Sequence, residues 1–168
     1  CVLEKDDGCI KRELIAYAHL NLSKRYLESG DDVRAAYHAR IVAVLDTANP
    51  LSAYILATLA VTNKQYNEAI FYLETVIRIS KDVAGAYQNV ELNLSRIYLE
   101  LGSCRSSIGD YLGAELDFSR AIEFNSSAAL PYLLKGNCCC MLGDRERAKE
   151  MFVRALAIDP SLNDARRG

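Results

Sequence analysis

Apolar and small residues recur along the chain with the spacing of packed helices. Four segments begin with Gly-Asp or Lys-Gln, continue to an alanine, and place apolar residues four and seven positions after it. Residues at i, i+4 and i+7 lie on one face of a helix, so the pattern predicts four related helices. The positions are Ala35, Ala39 and Val42; Ala69, Leu73 and Val76; Ala114, Phe118 and Ala121; and Ala148, Phe152 and Ala155.

A second helical pattern precedes each of these segments. It consists of Leu22-Ser23 with Tyr26, Leu56-Ala57 with Ala60, Leu94-Ser95 with Tyr98, and Gly136 with Cys139. Small residues on both helices let two helices approach closely, so each unit is predicted to be a helix pair. The alanines of the first two units are 34 residues apart (35 to 69), as are those of the last two (114 to 148). The middle alanines are 45 apart (69 to 114), which indicates extra residues between the second and third units.

This arrangement resembles the tetratricopeptide repeat, whose consensus has small or apolar residues at positions 7, 8, 11, 20, 24 and 27 and often proline at 32. The last copy carries the resemblance best, with Tyr132 at the bulky position 4 and Pro160 at position 32. The resemblance implies an all-α fold, a right-handed superhelix, or α-solenoid, of antiparallel helix pairs.

In this frame the four repeats cover residues 16–49, 50–87, 88–128 and 129–162. We expect a long linker at the end of the second repeat and an insertion at 103–109 between the helices of the third. Residues 1–15 form either an N-terminal extension or the end of a preceding helix. A long first helix is favoured because residues 9–29 contain neither proline nor glycine. Residues 163–168 are expected to start a further helix, and we expect the chain to be part of a larger protein.

The cysteines are expected to be structural. Three of them, Cys138 to Cys140, are adjacent and cannot pair with one another in normal disulfide geometry, which favours a reducing, cytoplasmic compartment. The sequence has no CxxC pair and only two histidines, so no metal site is expected. Cys138 to Cys140 are therefore interpreted as core residues, whereas Cys104, in the predicted insertion, is expected to be the exposed and reactive thiol.

The sequence predicts neither an enzyme nor a cofactor, because the common nucleotide, hydrolase and metal-binding motifs are absent. A net charge of -2 gives no overall attraction for phosphate, and basic residues such as Arg145 and Arg147 alternate with acidic ones. No nucleic-acid partner is therefore expected. The longest apolar runs fall short of the roughly 20 residues that span a bilayer, so no membrane insertion is expected.

The resemblance implies that the first helix of each repeat faces a concave groove, and that a protein or peptide partner binds there. The predicted groove is largely apolar, with amide side chains that can donate to and accept from a peptide backbone. The cationic clamp by which chaperone-binding members hold a C-terminal carboxylate is missing. The candidate partner-binding residues are Tyr17, Asn21, Lys24, Tyr54, Ile55, Thr58, Asn89, Leu92, Asn93, Arg96, Leu130, Leu133, Leu134 and Asn137.

Three functional hypotheses remain open. The leading one is a non-enzymatic interaction scaffold that binds a peptide or helical segment in the groove. The alternatives are a regulatory or docking domain of a larger enzyme, and an architectural, self-associating subunit of a multiprotein complex. It also remains open whether a neighbouring repeat, a terminal helix or a dimer partner covers some of the apolar residues of the groove. In the third repeat we expect Ala114 to pack between helices and its neighbour Glu115 to be solvated.

Overall fold

The computed structural model of the chain describes residues 3–82 and 93–162, and every regular element within these ranges is helical. The all-α prediction is confirmed, and so is the long first helix. The helices are α1 (Leu3–Glu28), α2 (Asp32–Leu45), α3 (Pro50–Thr62), α4 (Tyr66–Asp82), α5 (Leu94–Ser107), α6 (Tyr111–Phe124), α7 (Ala129–Met141) and α8 (Arg145–Ile158). The chain divides into two compact units, residues 1–90 and 91–168.

A tight turn joins the two helices of each pair. Three of these turns contain a glycine with positive φ: 77° at Gly30, 85° at Gly109 and 83° at Gly143. This left-handed conformation ends the first helix, because it directs the next amides back to the last free carbonyl groups. In the α3–α4 turn the same place is held by Lys64, with φ 58°. A side chain other than glycine is strained there.

Polar side chains start most of the helices. The carboxylates of Asp31, Asp110 and Asp144 accept hydrogen bonds from the backbone amides three residues later, at 2.9–3.0 Å. Each bond satisfies an amide that has no partner inside its helix. The acidic residues at these positions are therefore capping residues.

The first unit packs around the small residues of α2. Ala35, Ala39 and Val42 are fully buried and form one cluster with residues of α1 and α3. Ser23 of α1 is also buried, and its hydroxyl donates to the carbonyl oxygen of Ala35 at 2.8 Å. A serine can be buried here because the bond satisfies its polar group.

The second unit repeats this arrangement with glycine on the first helix of each pair. A Cβ on Gly102 of α5 would lie 2.7 Å from Cε1 of Phe118, and one on Gly136 of α7 would lie 2.5 Å from Cε1 of Phe152. Each glycine thus accepts an aromatic ring from its partner helix. The buried Ala114 of α6 packs beside Phe118.

The predicted insertion in the third repeat is wrong. Residues 103–107 continue α5 to Ser107, and the turn to α6 covers only residues 108–110. Gly102 and Gly136 are 34 residues apart (102 to 136), so the third pair has the ordinary repeat length. The extra residues precede α5 instead, between Asp82 and Leu94. The predicted linker at 83–87 and the further helix at 163–168 lie outside the described residues.

Three ionic contacts connect the helices of the second unit. Asp117 of α6 is buried and lies 2.5 Å from the guanidinium of Arg105 of α5. Glu115 of α6 accepts a hydrogen bond from Arg147 of α8 and lies 3.9 Å from Nζ of Lys135 of α7. The expectation that Glu115 is solvated is therefore wrong, since its side chain is only 15% exposed and pairs with cations of two neighbouring helices.

Candidate functional site

In the first unit the candidate partner-binding residues lie on α1 and α3, which contact each other. Tyr17, Asn21 and Lys24 follow one another on α1 at spacings of four and three, so they share one face of the helix. Tyr17 and Lys24 are exposed and Asn21 is half-buried. Tyr17 also lines an open groove of about 590 Å³ between α1 and the α2–α3 turn. This face of α1 is accessible to a partner.

The three candidates on α3 are less accessible. Tyr54 and Thr58 are half-buried, and the hydroxyl of Thr58 donates to the carbonyl oxygen of Tyr54 at 3.0 Å. Ile55 is only 5% exposed and belongs to the core cluster around α2. Its predicted place on the binding surface is therefore wrong, because α3 is packed between α1, α2 and α4 and only a narrow strip of it stays open.

In the second unit two accessible candidates lie on α7. Leu130 is 47% exposed and Asn137 is exposed, one on each side of the half-buried Leu134. Met141, one turn beyond Asn137, is 62% exposed. Leu130, Leu134, Asn137 and Met141 have spacings of four, three and four, so they form a stripe along α7.

Two of the candidate leucines on α7 contribute to the core as well. Leu133 packs against the cluster of Tyr132, Met151 and Ala155, and Leu134 packs against the cluster that contains Phe118. Both remain half-buried. A polar substitution at either position would disturb helix packing together with any binding surface.

Helix α5 begins at Leu94, which changes the interpretation of the candidates near its start. The amide oxygen of Asn93 accepts a hydrogen bond from the backbone amide of Arg96 at 3.2 Å, so Asn93 caps α5 and does not lie on its groove face. Arg96 is exposed and donates to the carboxylate of Glu100 at 2.9 Å. Asn89 and Leu92 lie outside the described residues.

Sequence reasoning included Arg96 among the candidates but missed the serines of α5 that correspond to the α7 stripe. With Gly102 equivalent to Gly136, the positions facing a groove become Arg96, Leu99, Glu100, Ser103, Ser106 and Ser107. The signal that identifies them is the equal spacing from each glycine to its phenylalanine, Gly102 to Phe118 and Gly136 to Phe152. Ser103 donates to the carbonyl oxygen of Leu99, and Ser107 donates to that of Ser103. The resulting face of α5 is polar, and α5 contacts α7.

The cysteines provide no nucleophile in the second unit's core. Cys104 is 2% exposed, and burial raises the pKa of its thiol to about 11. The prediction that Cys104 is exposed and reactive is wrong, because residue 104 lies on a buried face of α5. Burial likewise raises the pKa values of Cys138 and Cys139, both of which are buried as predicted. Cys140, by contrast, is exposed, so its assignment to the core is wrong.

Two kinds of site are not found among the described residues. In residues 8–81 and 93–162 no three His, Cys, Asp or Glu side chains gather as metal ligands would. No helix in the described part of the chain is long and apolar enough to cross a membrane.

The sequence profile of the tetratricopeptide repeat family matches residues 52–83 and 131–162, which are α3–α4 and α7–α8. No curated protein sequence matches the chain. Among solved structures, a crystal structure of MamA protein is 22% identical, with a TM-score of 0.73 over 89% of this chain and 75% of that one. A MamA RS-1 double mutant is 19% identical, with a TM-score of 0.72 over 88% of this chain and 76% of that one.

The similarity in sequence and the similarity in structure agree. The resemblance to the tetratricopeptide repeat family is confirmed, and the chain has a tetratricopeptide-like α-solenoid fold. At about 20% identity the solved structures establish the fold alone. Such a fold suggests a role in protein–protein interaction.

Proposed function

We propose that the chain is a non-enzymatic interaction scaffold that binds a peptide or helical segment of a protein partner along its first helices. The observation that carries this proposal is the stripe on α7, where Leu130 and Met141 are 47% and 62% exposed on either side of Asn137. Exposed apolar side chains in a row on one helix face are typical of a binding surface. An amide between them can bond to the backbone of an extended segment or to polar side chains of a helix.

The charge pattern of α7 supports the same partner class. Lys135 is the helix's sole charged residue, and it lies near the Glu115 carboxylate. A nucleic acid or a terminal carboxylate would require unpaired cations on this face. The neighbouring face of α5 carries Arg96 and Glu100, which pair with each other. The partner segment is therefore expected to contact α7 mainly through apolar side chains.

The experiment selects ligands from a displayed library of random 16-residue peptides against the full chain. The affinity of an enriched peptide is then measured for the wild type and for the double variant Leu130→Glu with Asn137→Ala. Both residues are exposed, so the fold should survive. The Leu130→Glu change buries an unpaired carboxylate under the peptide, and the Asn137→Ala change removes a hydrogen bond of the side-chain amide. Each costs about 1–3 kcal/mol, so affinity should fall at least tenfold.

A matched control places the same charge on a second helix. Leu116 of α6 is more exposed than Leu130, and Lys149 of α8 is exposed as well. The variant Leu116→Glu with Lys149→Ala should bind the selected peptide as the wild type does. If the control variant loses binding and the α7 variant does not, the partner binds the second helices and the proposal fails.

A second candidate function, self-association in a larger assembly, is favoured by the outer face of α2. Val33, Tyr37 and Val44 are all largely exposed there and line one shallow apolar cleft with Ile41 and Leu45. Light scattering over a range of concentrations tests this alternative. Concentration-dependent dimers that disappear in Val33→Lys with Val44→Lys would support it, and a constant monomer mass would exclude it.

A further inference from the structure

The two histidines of the chain, His19 on α1 and His38 on α2, meet between their helices. Their Nδ1 atoms are 2.8 Å apart, and their ring centroids are 5.0 Å apart. The sequence contains no other histidine. Histidine is the side chain that ordinarily changes charge between pH 5 and pH 8. Both histidines of the chain therefore lie in a single contact, which joins α1 to α2.

The short distance fixes how many protons the pair can hold. A hydrogen bond between two Nδ1 atoms needs a proton on one nitrogen and a free lone pair on the other. At most one of the two rings can then be an imidazolium. When both rings are protonated, two N–H groups and two positive charges face each other, and the contact must open.

The surroundings do not compensate a second positive charge. Tyr26 of α1 stacks on the His38 ring at 5.5 Å, and Tyr37 meets the same ring edge-on at 5.3 Å. Arg34 of α2 is one turn before His38, and its guanidinium lies 5.4 Å from the Tyr26 ring centroid. Arg34 is itself paired with Asp31 in the turn.

Charged groups on the remaining faces are few. Residues 15, 16, 22 and 23, one turn from His19 on α1, are all uncharged, and α3 has no charged residue and one titratable side chain, Tyr54. On α2, Arg40 bonds to Tyr72 of α4. Burial and the neighbouring His19 both lower the pKa of His38 below its ordinary 6.5. The folded first unit thus favours the neutral ring.

A bound metal ion does not fit the geometry. Zinc lies about 2.0–2.1 Å from each histidine nitrogen, and tetrahedral geometry would then separate two nitrogens by about 3.3 Å. The observed 2.8 Å is the length of a hydrogen bond. In the described residues no third ligand joins the pair.

We propose that the His19–His38 pair is an acid-sensitive latch, which holds α1 on α2 at neutral pH and opens when a second proton binds. Because the folded state favours the neutral ring, the latch contributes stability above about pH 6.5 and loses it as the pH falls toward 5. The effect is confined to the first unit, since the second unit contains no histidine.

The test measures amide hydrogen exchange of the full chain at pH 7.5 and pH 5.5, corrected for the intrinsic pH dependence of exchange. Protection of residues 32–45 should fall at the lower pH, because the unfolded chain binds a proton at His38 more readily than the folded pair does. Protection of residues 145–158 should not change. The variant His38→Phe keeps a ring against Tyr26 but cannot bind a proton. In this variant residues 32–45 should keep their protection at pH 5.5.

A proton NMR titration keeps the proposal testable if that variant does not fold. One of the two histidine rings of the wild type should titrate well below pH 6.5. Two ordinary titrations near pH 6.5 would overturn the proposal. An equal loss of protection in both units at pH 5.5 would also overturn it. So would a folded His19→Gln variant that loses as much protection at pH 5.5 as the wild type does.

Discussion

Replacing Gly102 by alanine tests the packing of α5 on α6 directly. The added Cβ would lie 2.7 Å from Cε1 and 2.9 Å from Cδ1 of Phe118. Carbon atoms in contact prefer about 3.5–4.0 Å, so the ring would have to move by close to 1 Å. Phe118 is 1% exposed and packs against Ala114 and Cys138, which leaves it little room.

The expected magnitude follows from two opposing effects. Overpacking a core typically costs about 1–3 kcal/mol, whereas alanine is favoured over glycine in a helix by about 0.8–1.0 kcal/mol. Gly8 on α1 provides the matched control, because a Cβ there meets nothing within 4 Å. Since the helix preference is common to both variants, Gly8→Ala should be more stable than Gly102→Ala by about 1–3 kcal/mol.

Denaturant unfolding followed by circular dichroism measures this difference, provided that the transition slope is unchanged. A double variant Gly102→Ala with Phe118→Leu should be less destabilised than the sum of the single variants, since the shorter side chain makes room for the new methyl group. If Gly102→Ala stabilises the chain as much as Gly8→Ala does, Gly102 does not face Phe118. The placement of the third repeat would then be wrong.

Three further predictions concern the turns, the buried ion pair and the thiols. Lys64→Gly should stabilise the chain by about 0.5–1 kcal/mol in thermal unfolding, because glycine adopts the positive φ of residue 64 without strain, whereas Lys64→Ala should give no gain. Asp117→Asn should destabilise by about 2 kcal/mol, because it removes the negative charge that lies 2.5 Å from the partly buried Arg105 guanidinium, and unchanged denaturant midpoints would contradict this. With a thiol reagent at pH 8, Cys140 should react in the folded chain and Cys104 only after unfolding, because burial and a pKa of about 11 keep Cys104 protonated.

The repeat period was predictable because close helix packing constrains one position in every pair. Ala35, Ala69, Ala114 and Ala148 are each at most 2% exposed. A side chain larger than alanine at these positions would push the two helices apart. A requirement that recurs in every pair leaves a period in the sequence, which can be recognised without a structure.

The start of the third repeat was not predictable by the same reasoning. Two segments in this part of the chain have a leucine followed by a small residue and, three positions later, a larger one. They are Leu94-Ser95 with Tyr98, and Leu101-Gly102 with Arg105. The correct frame places Arg105 at a position where the family prefers a small or apolar residue. The structure accommodates the arginine because Asp117 meets it from α6. A pair of charges that replaces an apolar contact is not visible when positions are judged singly.

The accessible residues of the candidate binding surface depend on contacts between helices. Leu130, Leu133 and Leu134 have the same side chain and lie within five residues, yet Leu130 is exposed and the other two pack against separate clusters. The difference arises from the positions of α6 and α8, which no local pattern specifies. Sequence periodicity therefore identifies the helix face, and tertiary packing decides which residues on it can reach a partner.

The corrected frame also changes the chemistry that a partner of the second unit would meet. On α5 the hydroxyls of Ser103 and Ser107 already donate to carbonyl groups of their own helix, and Arg96 is paired with Glu100. These groups have little to gain from new polar contacts, because each would exchange an existing bond for another. On α7, Leu130 and Met141 are in contact with water, and covering them removes apolar surface from it. Affinity for a partner should therefore depend mainly on apolar contacts with α7, and α5 should contribute orientation more than binding energy.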